Sequence, residues 1–326
     1  MRHARLILLS AIVLLAAILL LVWSLRDVSL SEVWTALSSL QAWQLAAILV
    51  VNGGLILLFA SRWWLILVRQ GHRIPYFEVA RYRLAAFSIS YFTPGQHFGG
   101  EPLQVFFLHK NHHVASGAAV ASVALDKAIE LFTNFTVLGI GIEVLASSGL
   151  FNSSPLIPTL LFSILLLALP AGYLFVLVGG SRPLSQLLRK SKKPFWRTIV
   201  SGEAQLAVLT KREPNLLLIG LGAAALVWAG LFFEYWLLLF FLGIGVNGFQ
   251  LLAIVIAGRI ALLAPTPGAI GALEASQVLV MQALGFNPAY GLALGLLIRA
   301  RDIFFGTIGL VLGGAAGFSA YRRSLR

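Results

Sequence analysis

Twelve ionisable side chains fall inside or beside apolar stretches of this sequence: Arg62, Glu101, Asp126, Lys127, Glu130, Glu143, Glu234, Arg259, Glu274, Arg299, Arg301 and Asp302. An isolated charge at the centre of a bilayer costs about 2.5 to 3.5 kcal/mol on insertion scales, so charges kept there face a partner or a water-filled path. The signs are mixed. Buried ion pairs that fix helix packing account for any one of them, whereas the set as a whole points to a polar pathway or a ligand site.

Two Gly- and Pro-rich turns sit close to these charges. One reads Thr93-Pro94-Gly95-Gln96-His97-Phe98-Gly99-Gly100, followed by Glu101; the other reads Pro265-Thr266-Pro267-Gly268-Ala269-Ile270-Gly271, with Glu274 three residues on. Pro and Gly break a helix, and a half-helix that restarts after such a break aims free N–H groups and a positive dipole end at whatever lies in front of it. That end suits a phosphate or carboxylate. Glu101 and Glu274 fall in the first turn of the restarted helices, where a carboxylate caps the helix, pairs with a nearby cation, or takes a proton or cation. Gly99, Gly100 and Gly271 admit close approach of a ligand or, equally, of another helix.

The elements around these turns follow from composition. Of the 326 residues, 59% are hydrophobic and 11% charged, and the mean hydropathy is +0.90. Ordinary soluble domains carry about 25% charged residues, so a soluble fold is excluded; runs of about 20 apolar residues also exclude disorder and a β-barrel. The expectation is an all-α polytopic membrane domain occupying residues 1–326. Full spans are predicted at Leu6–Leu25, Trp43–Val68, Val114–Leu145, Leu156–Gly179, Leu216–Leu242 and Tyr290–Tyr321. The interrupted stretches, Ala80–Leu108 and Leu251–Leu284, have halves too short to cross a bilayer and read as re-entrant hairpins or broken helices.

Lys and Arg number 24 against 12 Asp and Glu, a net charge of +12. In a soluble protein this would suggest nucleic acid; here it reads as topology. With a cytoplasmic N-terminus and both hairpins returning to their own side, the cytoplasmic segments collect Arg2, Arg5, Arg69, Arg73, Arg81, Arg83, Lys110, the basic loop 180–214 and the final arginines, while the outer loops keep only Arg26. Six spans and two hairpins then put both termini in the cytoplasm. The apolar run after Arg2 and Arg5 is longer than a signal-peptide core and lacks a clear cleavage site, so it reads as a retained helix.

The spacing Thr-Pro-Gly, five residues, Glu occurs at Thr93 and again at Thr266, an offset of 173 residues. At the same offset the cluster Asp126, Lys127, Glu130 aligns with Arg299, Arg301, Asp302. This predicts an inverted repeat, with a first half at 43–147 containing hairpin 80–110 and a second at 215–321 containing hairpin 250–285, and with a site where the halves meet.

Other signals are weaker. His109, His112 and His113 have helical spacing suited to a metal but sit beside Lys110 in a short turn, where headgroup contact is the alternative; no metal site or cofactor is expected. Phe195–Leu209, after the Lys190-Ser191-Lys192-Lys193 run, suits an amphipathic helix on an anionic leaflet or a solvated loop. Asn152-Ser153-Ser154 matches a glycosylation sequon. The absence of cysteine excludes disulfides, thiolate zinc and a cysteine nucleophile. No Walker A motif, HExxH or nucleophile elbow occurs, which disfavours ATP-driven transport by this chain alone.

At these same residues the sequence resembles the transmembrane domain of the lysylphosphatidylglycerol synthase/flippase family, which includes stand-alone members, some associated with hopanoid biosynthesis. The resemblance rests on Thr93-Pro94-Gly95 with Gly99-Gly100-Glu101-Pro102, on Leu125-Asp126-Lys127, and on Pro265-Thr266-Pro267-Gly268 with Gly271-Ala272 and Glu274. It implies two re-entrant helices and movement of a lipid between leaflets of the bacterial inner membrane. The soluble domain that attaches lysine in full-length relatives is not found in this sequence, so no enzyme activity is expected. Lys127 stands where many relatives carry Arg, so no bidentate phosphate grip is implied there. The expectation is a flippase for an anionic or phosphate-bearing lipid. Gly99, Gly100 and Gly271 contact the headgroup, Lys127, Arg299 and Arg301 compensate its charge, and Glu101, Asp126, Glu130 and Glu274 gate or couple ions. Membrane lipids are the expected partners. The rivals are an accessory protein for a lipid-biosynthetic enzyme and an intramembrane enzyme using Asp126 and Glu130 as acid and base.

Overall fold

The computed structural model describes residues 21–147 and 194–324 apart from 24, 27, 94–98, 214 and 265, together with residue 19 and scattered positions between 161 and 186. The spans predicted at Leu6–Leu25 and Leu156–Gly179 lie largely outside the described residues. Pro94, Gly95, Pro265, the Asn152 sequon and the Lys190–Lys193 run lie wholly outside them.

Among the described residues the fold is helical, without a strand. A short helix α1 (Leu30–Ser38), capped by the Ser29 hydroxyl, precedes α2 (Ala42–Arg69), α3 (Tyr76–Phe92), α4 (Glu101–His112) and α5 (Ser116–Ser147). The chain continues with α6 (Pro194–Arg212), α7 (Asn215–Phe241), α8 (Gly248–Ala261), α9 (Ala272–Ala283) and α10 (Pro288–Ser324). Three of the described helices, α2, α5 and α7, are long and apolar enough to cross a membrane. Helices α7, α8, α9 and α10 begin 173, 172, 171 and 172 residues after α2, α3, α4 and α5, so the offset seen in the two motifs extends to the whole order of elements.

The two breaks have local causes. Thr93 is extended and ends α3; Gly99 has φ of +130°, a conformation open to glycine. In the second break Pro267–Ala269 forms one 3-10 turn, with Gly268 at φ +55° and Gly271 at +82° before α9 starts. Between consecutive described helices, residues 148–193 apart, connections are short. Asn247 and Gln250 cap α8 reciprocally, each side-chain oxygen accepting from the other's N–H at 2.9 Å.

Packing interlocks the halves. Helix α3 packs along α10, and α8 packs on α5, so each half lays the first arm of its broken pair on the last long helix of the other. Glycines bring α10 close to α3: a Cβ at Gly309 would lie 2.4 Å from the Leu84 carbonyl oxygen, and one at Gly313 would lie 2.9 Å from the Ala85 Cβ. Backbones at this spacing are the usual result of small residues every three or four positions on a helix. Helix α6 is where an amphipathic helix is expected, but its inner face is covered by protein. It packs against α5, with Glu203, Leu206, Ala207 and Leu209 buried, while Val208 on the opposite face is exposed.

Candidate functional site

One face of each of four long helices turns toward a shared interior cavity of about 250 Å3. Helix α2 contributes Asn52, Leu55, Ile56, Phe59 and Arg62; α5 contributes Val123, Asp126, Lys127, Glu130 and Leu131; α7 contributes Ala224, Val227, Trp228, Leu231 and Tyr235; and α10 contributes Ile298, Arg301, Asp302 and Phe305. Steps of three and four residues keep each set on a single helical stripe. Arg83, Phe87 and Ser90 of α3, with Gly100, Glu101 and Gln104 at the start of α4, complete one wall, and Arg259 of α8 reaches in from another.

The charges form two clusters. In the first, Arg62 Nε donates to Asp126 Oδ1 at 2.6 Å, and its Nη2 lies 3.4 Å from Glu130. Arg83 pairs with Asp126 and, at 2.8 Å, with Glu130. Lys127 Nζ lies 2.9 Å from Glu130 and 3.2 Å from Glu101. Arg62 and Asp126 are 1% and 3% exposed, so these charges persist in the interior because each is matched. In the second cluster Arg301 donates to Glu234 and to Asn52 Oδ1, and its Nε lies 2.9 Å from Asp302. The Asn52 amide is oriented by donating to the Ile48 carbonyl at 2.9 Å.

Asn52 and Arg62 are ten residues apart on α2, which at 1.5 Å per residue separates the two clusters by roughly 15 Å along the helix. Between them the α2 face is Leu55, Ile56 and Phe59. The cavity therefore has two ionic ends and an apolar middle.

The glutamates that follow the two breaks do equivalent work. Glu101 accepts from the Gly99 N–H at 2.8 Å and pairs with Lys127; Glu274 accepts from the Gly271 N–H at 3.0 Å and pairs with Arg299. Arg299 also donates to the Gly268 carbonyl at 3.2 Å. Each turn is thus tied to the long helix that follows it by one carboxylate and one cation. The Gly100 N–H donates to Ser90 Oγ at 3.0 Å. The N–H groups that sequence assigned to an anionic headgroup are engaged by the protein's own oxygens in this conformation.

Of the predicted substrate-contacting residues, Gly100, Glu101, Asp126, Lys127, Glu130 and Arg301 line the cavity, whereas Gly99, Gly271, Glu274 and Arg299 do not. Thr266 is buried and Gly268 lies against the Tyr91 ring, a Cβ there falling 3.0 Å from it. One residue was placed differently by sequence, and another was placed correctly but without its partner. Arg83, counted among the cytoplasmic charges by its place in the chain, lies in the interior cluster; its helical register with Phe87 and Ser90 was the available signal. Arg62 was read as an intramembrane charge, but its partner is 64 residues away and nothing local names it. The three histidines diverge: His109 Nδ1 lies 3.0 Å from the Val114 carbonyl, His112 meets Tyr82 and Glu78, and His113 ends α4 at φ +54°. Among the described residues no group of three His, Cys, Asp or Glu is placed to hold a metal ion.

The two clusters and the two breaks together set Arg62, Arg83, Lys127, Arg259, Arg299 and Arg301 against Glu101, Asp126, Glu130, Glu234, Glu274 and Asp302, and Glu143, whose buried Oε2 has no hydrogen-bond partner among the described residues, adds a seventh carboxylate. Compared with known proteins, residues 7–309 match the family described as the lysylphosphatidylglycerol synthase TM region. No curated protein matches the chain significantly.

Proposed function

We propose, from the premise that the chain belongs to the lysylphosphatidylglycerol synthase TM-region family and is an integral membrane protein, that it moves an anionic or phosphate-bearing lipid between leaflets of an inner membrane. The observation that carries this reading is the cavity, a path with ionic ends and an apolar middle lined by helices of both halves. A headgroup inside it exchanges hydration for side-chain partners while acyl chains stay in the surrounding lipid. The reading includes an inverted repeat of full spans around two re-entrant pairs, α3 with α4 and α8 with α9. It is supported by the matched element order and by helix lengths of 17, 12, 14 and 12 residues, each under about 30 Å at 1.5 Å per residue. Both termini are cytoplasmic in this arrangement, and the proposed role is translocation rather than synthesis.

The test is leaflet exchange of fluorescent phosphatidylglycerol and phosphatidylcholine in proteoliposomes. Wild type is expected to exchange at least one of them faster than protein-free vesicles, and Glu101→Gln is expected to lower that rate at least tenfold. Glutamine keeps an oxygen for the Gly99 N–H but removes the charge facing Lys127. Folded wild-type protein without exchange of any phospholipid would sink the translocase reading and favour an accessory role beside a lipid-biosynthetic enzyme.

A further inference from the structure

Lys127, Arg299 and Arg301, the cations that sequence assigned to charge compensation, each have a carboxylate of the protein within ion-pairing distance. Arg259 does not. Among the described residues it makes no ion pair, its buried Nε has no hydrogen-bond partner, and its guanidinium rests 5.0 Å from the centroid of the Trp228 ring. The two nearest carboxylates, Glu234 and Asp302, are both held by Arg301. Its position differs too. A Cβ at Gly230 would lie 2.6 Å from a Leu55 methyl, one turn along α2 from Asn52, which sets Trp228 and Arg259 at the inner edge of the second cluster, where the apolar stretch Leu55, Ile56 and Phe59 begins.

A cation held over an aromatic face in an apolar, partly dehydrated space has its donors unsatisfied and its field weakly screened. Arginine offers a planar fork of N–H groups matched to phosphate oxygens. Tyr235, buried on the same α7 face and lining the same cavity, brings a hydroxyl that makes no hydrogen bond among the described residues. The geometry points to Arg259, backed by Trp228 and flanked by Tyr235, as the seat of a single phosphate-type anion where the second cluster meets the apolar stretch of the cavity. This rests on the reading of the cavity as a headgroup path and names one station on it; the same chemistry would also take free phosphate.

Purified protein in detergent is titrated with dihexanoylphosphatidylglycerol, with dihexanoylglycerol, which lacks the phosphate, and with sodium phosphate, following binding by thermophoresis and folding by thermal melting. Wild type is expected to bind the phospholipid at least tenfold more tightly than dihexanoylglycerol. Arg259→Gln should erase that difference, and Tyr235→Phe, which keeps the ring, should reduce it several-fold. Phosphate that competes at a similar concentration identifies a free anion as the ligand; phosphate needing at least a hundredfold more identifies the lipid headgroup. Folded Arg259→Gln protein with wild-type phospholipid affinity, or no preference for the phosphorylated lipid in wild type, overturns the assignment. If Arg259→Gln unfolds, the Tyr235→Phe titration decides in its place. Leaflet exchange measured on the same proteins separates the two ideas. Exchange intact in a variant that has lost binding takes the seat off the transport path and keeps the translocase, whereas Arg259-dependent binding without exchange keeps the seat and removes the translocase.

Discussion

Asp126→Leu is expected to destabilise the protein by about 3 to 5 kcal/mol, the range for removing one partner of a buried charge pair. Its two oxygens hold Arg62 and Arg83, and removing them leaves two interior guanidinium groups with Glu130 alone. Most of the loss comes from the stranded cations rather than from the attraction itself. The double variant Arg62→Met, Asp126→Leu is therefore expected to recover a large part of the stability, since an apolar pair of similar volume removes the desolvation cost from both sides. Unfolding in mixed detergent–SDS micelles measures all four corners of this cycle. A double variant as unstable as the sum of the two single changes would show that the cluster is not held together by charge matching.

Gly100→Ala is expected to cost about 1 to 3 kcal/mol or more, as overpacking does in a filled interior. A Cβ there would sit 2.1 Å from the Ala86 carbonyl oxygen, a backbone atom that cannot rotate away. The backbone at Gly100 has φ of −86°, open to any residue, so the penalty is steric and not conformational. Gly53→Ala in α2 is the matched control. Nothing lies within 4 Å of its would-be Cβ, and alanine in a helix interior is expected to gain about 0.5 to 1 kcal/mol over glycine. Equal melting temperatures for the two variants would refute the close approach of α3 and α4. The result also bears on function, because a glycine required for packing explains its place in the turn without a ligand.

Helix extents were readable wherever hydropathy was uninterrupted: Trp43–Val68, Val114–Leu145 and Leu216–Leu242 differ from α2, α5 and α7 by only a few residues. The breaks and their shared offset were readable because Pro and Gly punctuate a chain whatever its surroundings. Charge partners were not. Whether Arg83 faces a headgroup or Asp126 depends on how α3 lies against α5, and hydropathy carries no information about that rotation. Counting Arg83 with the cytoplasmic residues followed from chain position alone. Likewise the glutamates after the breaks were visible as first-turn carboxylates, but only the coordinates separate capping from pairing, and Glu101 and Glu274 do both. The apolar face of α6 was visible in sequence; that α5 covers it was not.

The ion pairing of the interior charges also bears on how the molecule meets the membrane potential. A charge carried across the bilayer exchanges about 2.3 kcal/mol with each 100 mV. A wall in which all but one of the cations, Arg259, are paired with carboxylates moves little net charge when it shifts. Under the proposed translocation, the voltage sensitivity would be mainly that of the lipid carried: exchange of a singly anionic lipid would speed up or slow down with the sign of the potential, and that of a zwitterionic one would change little.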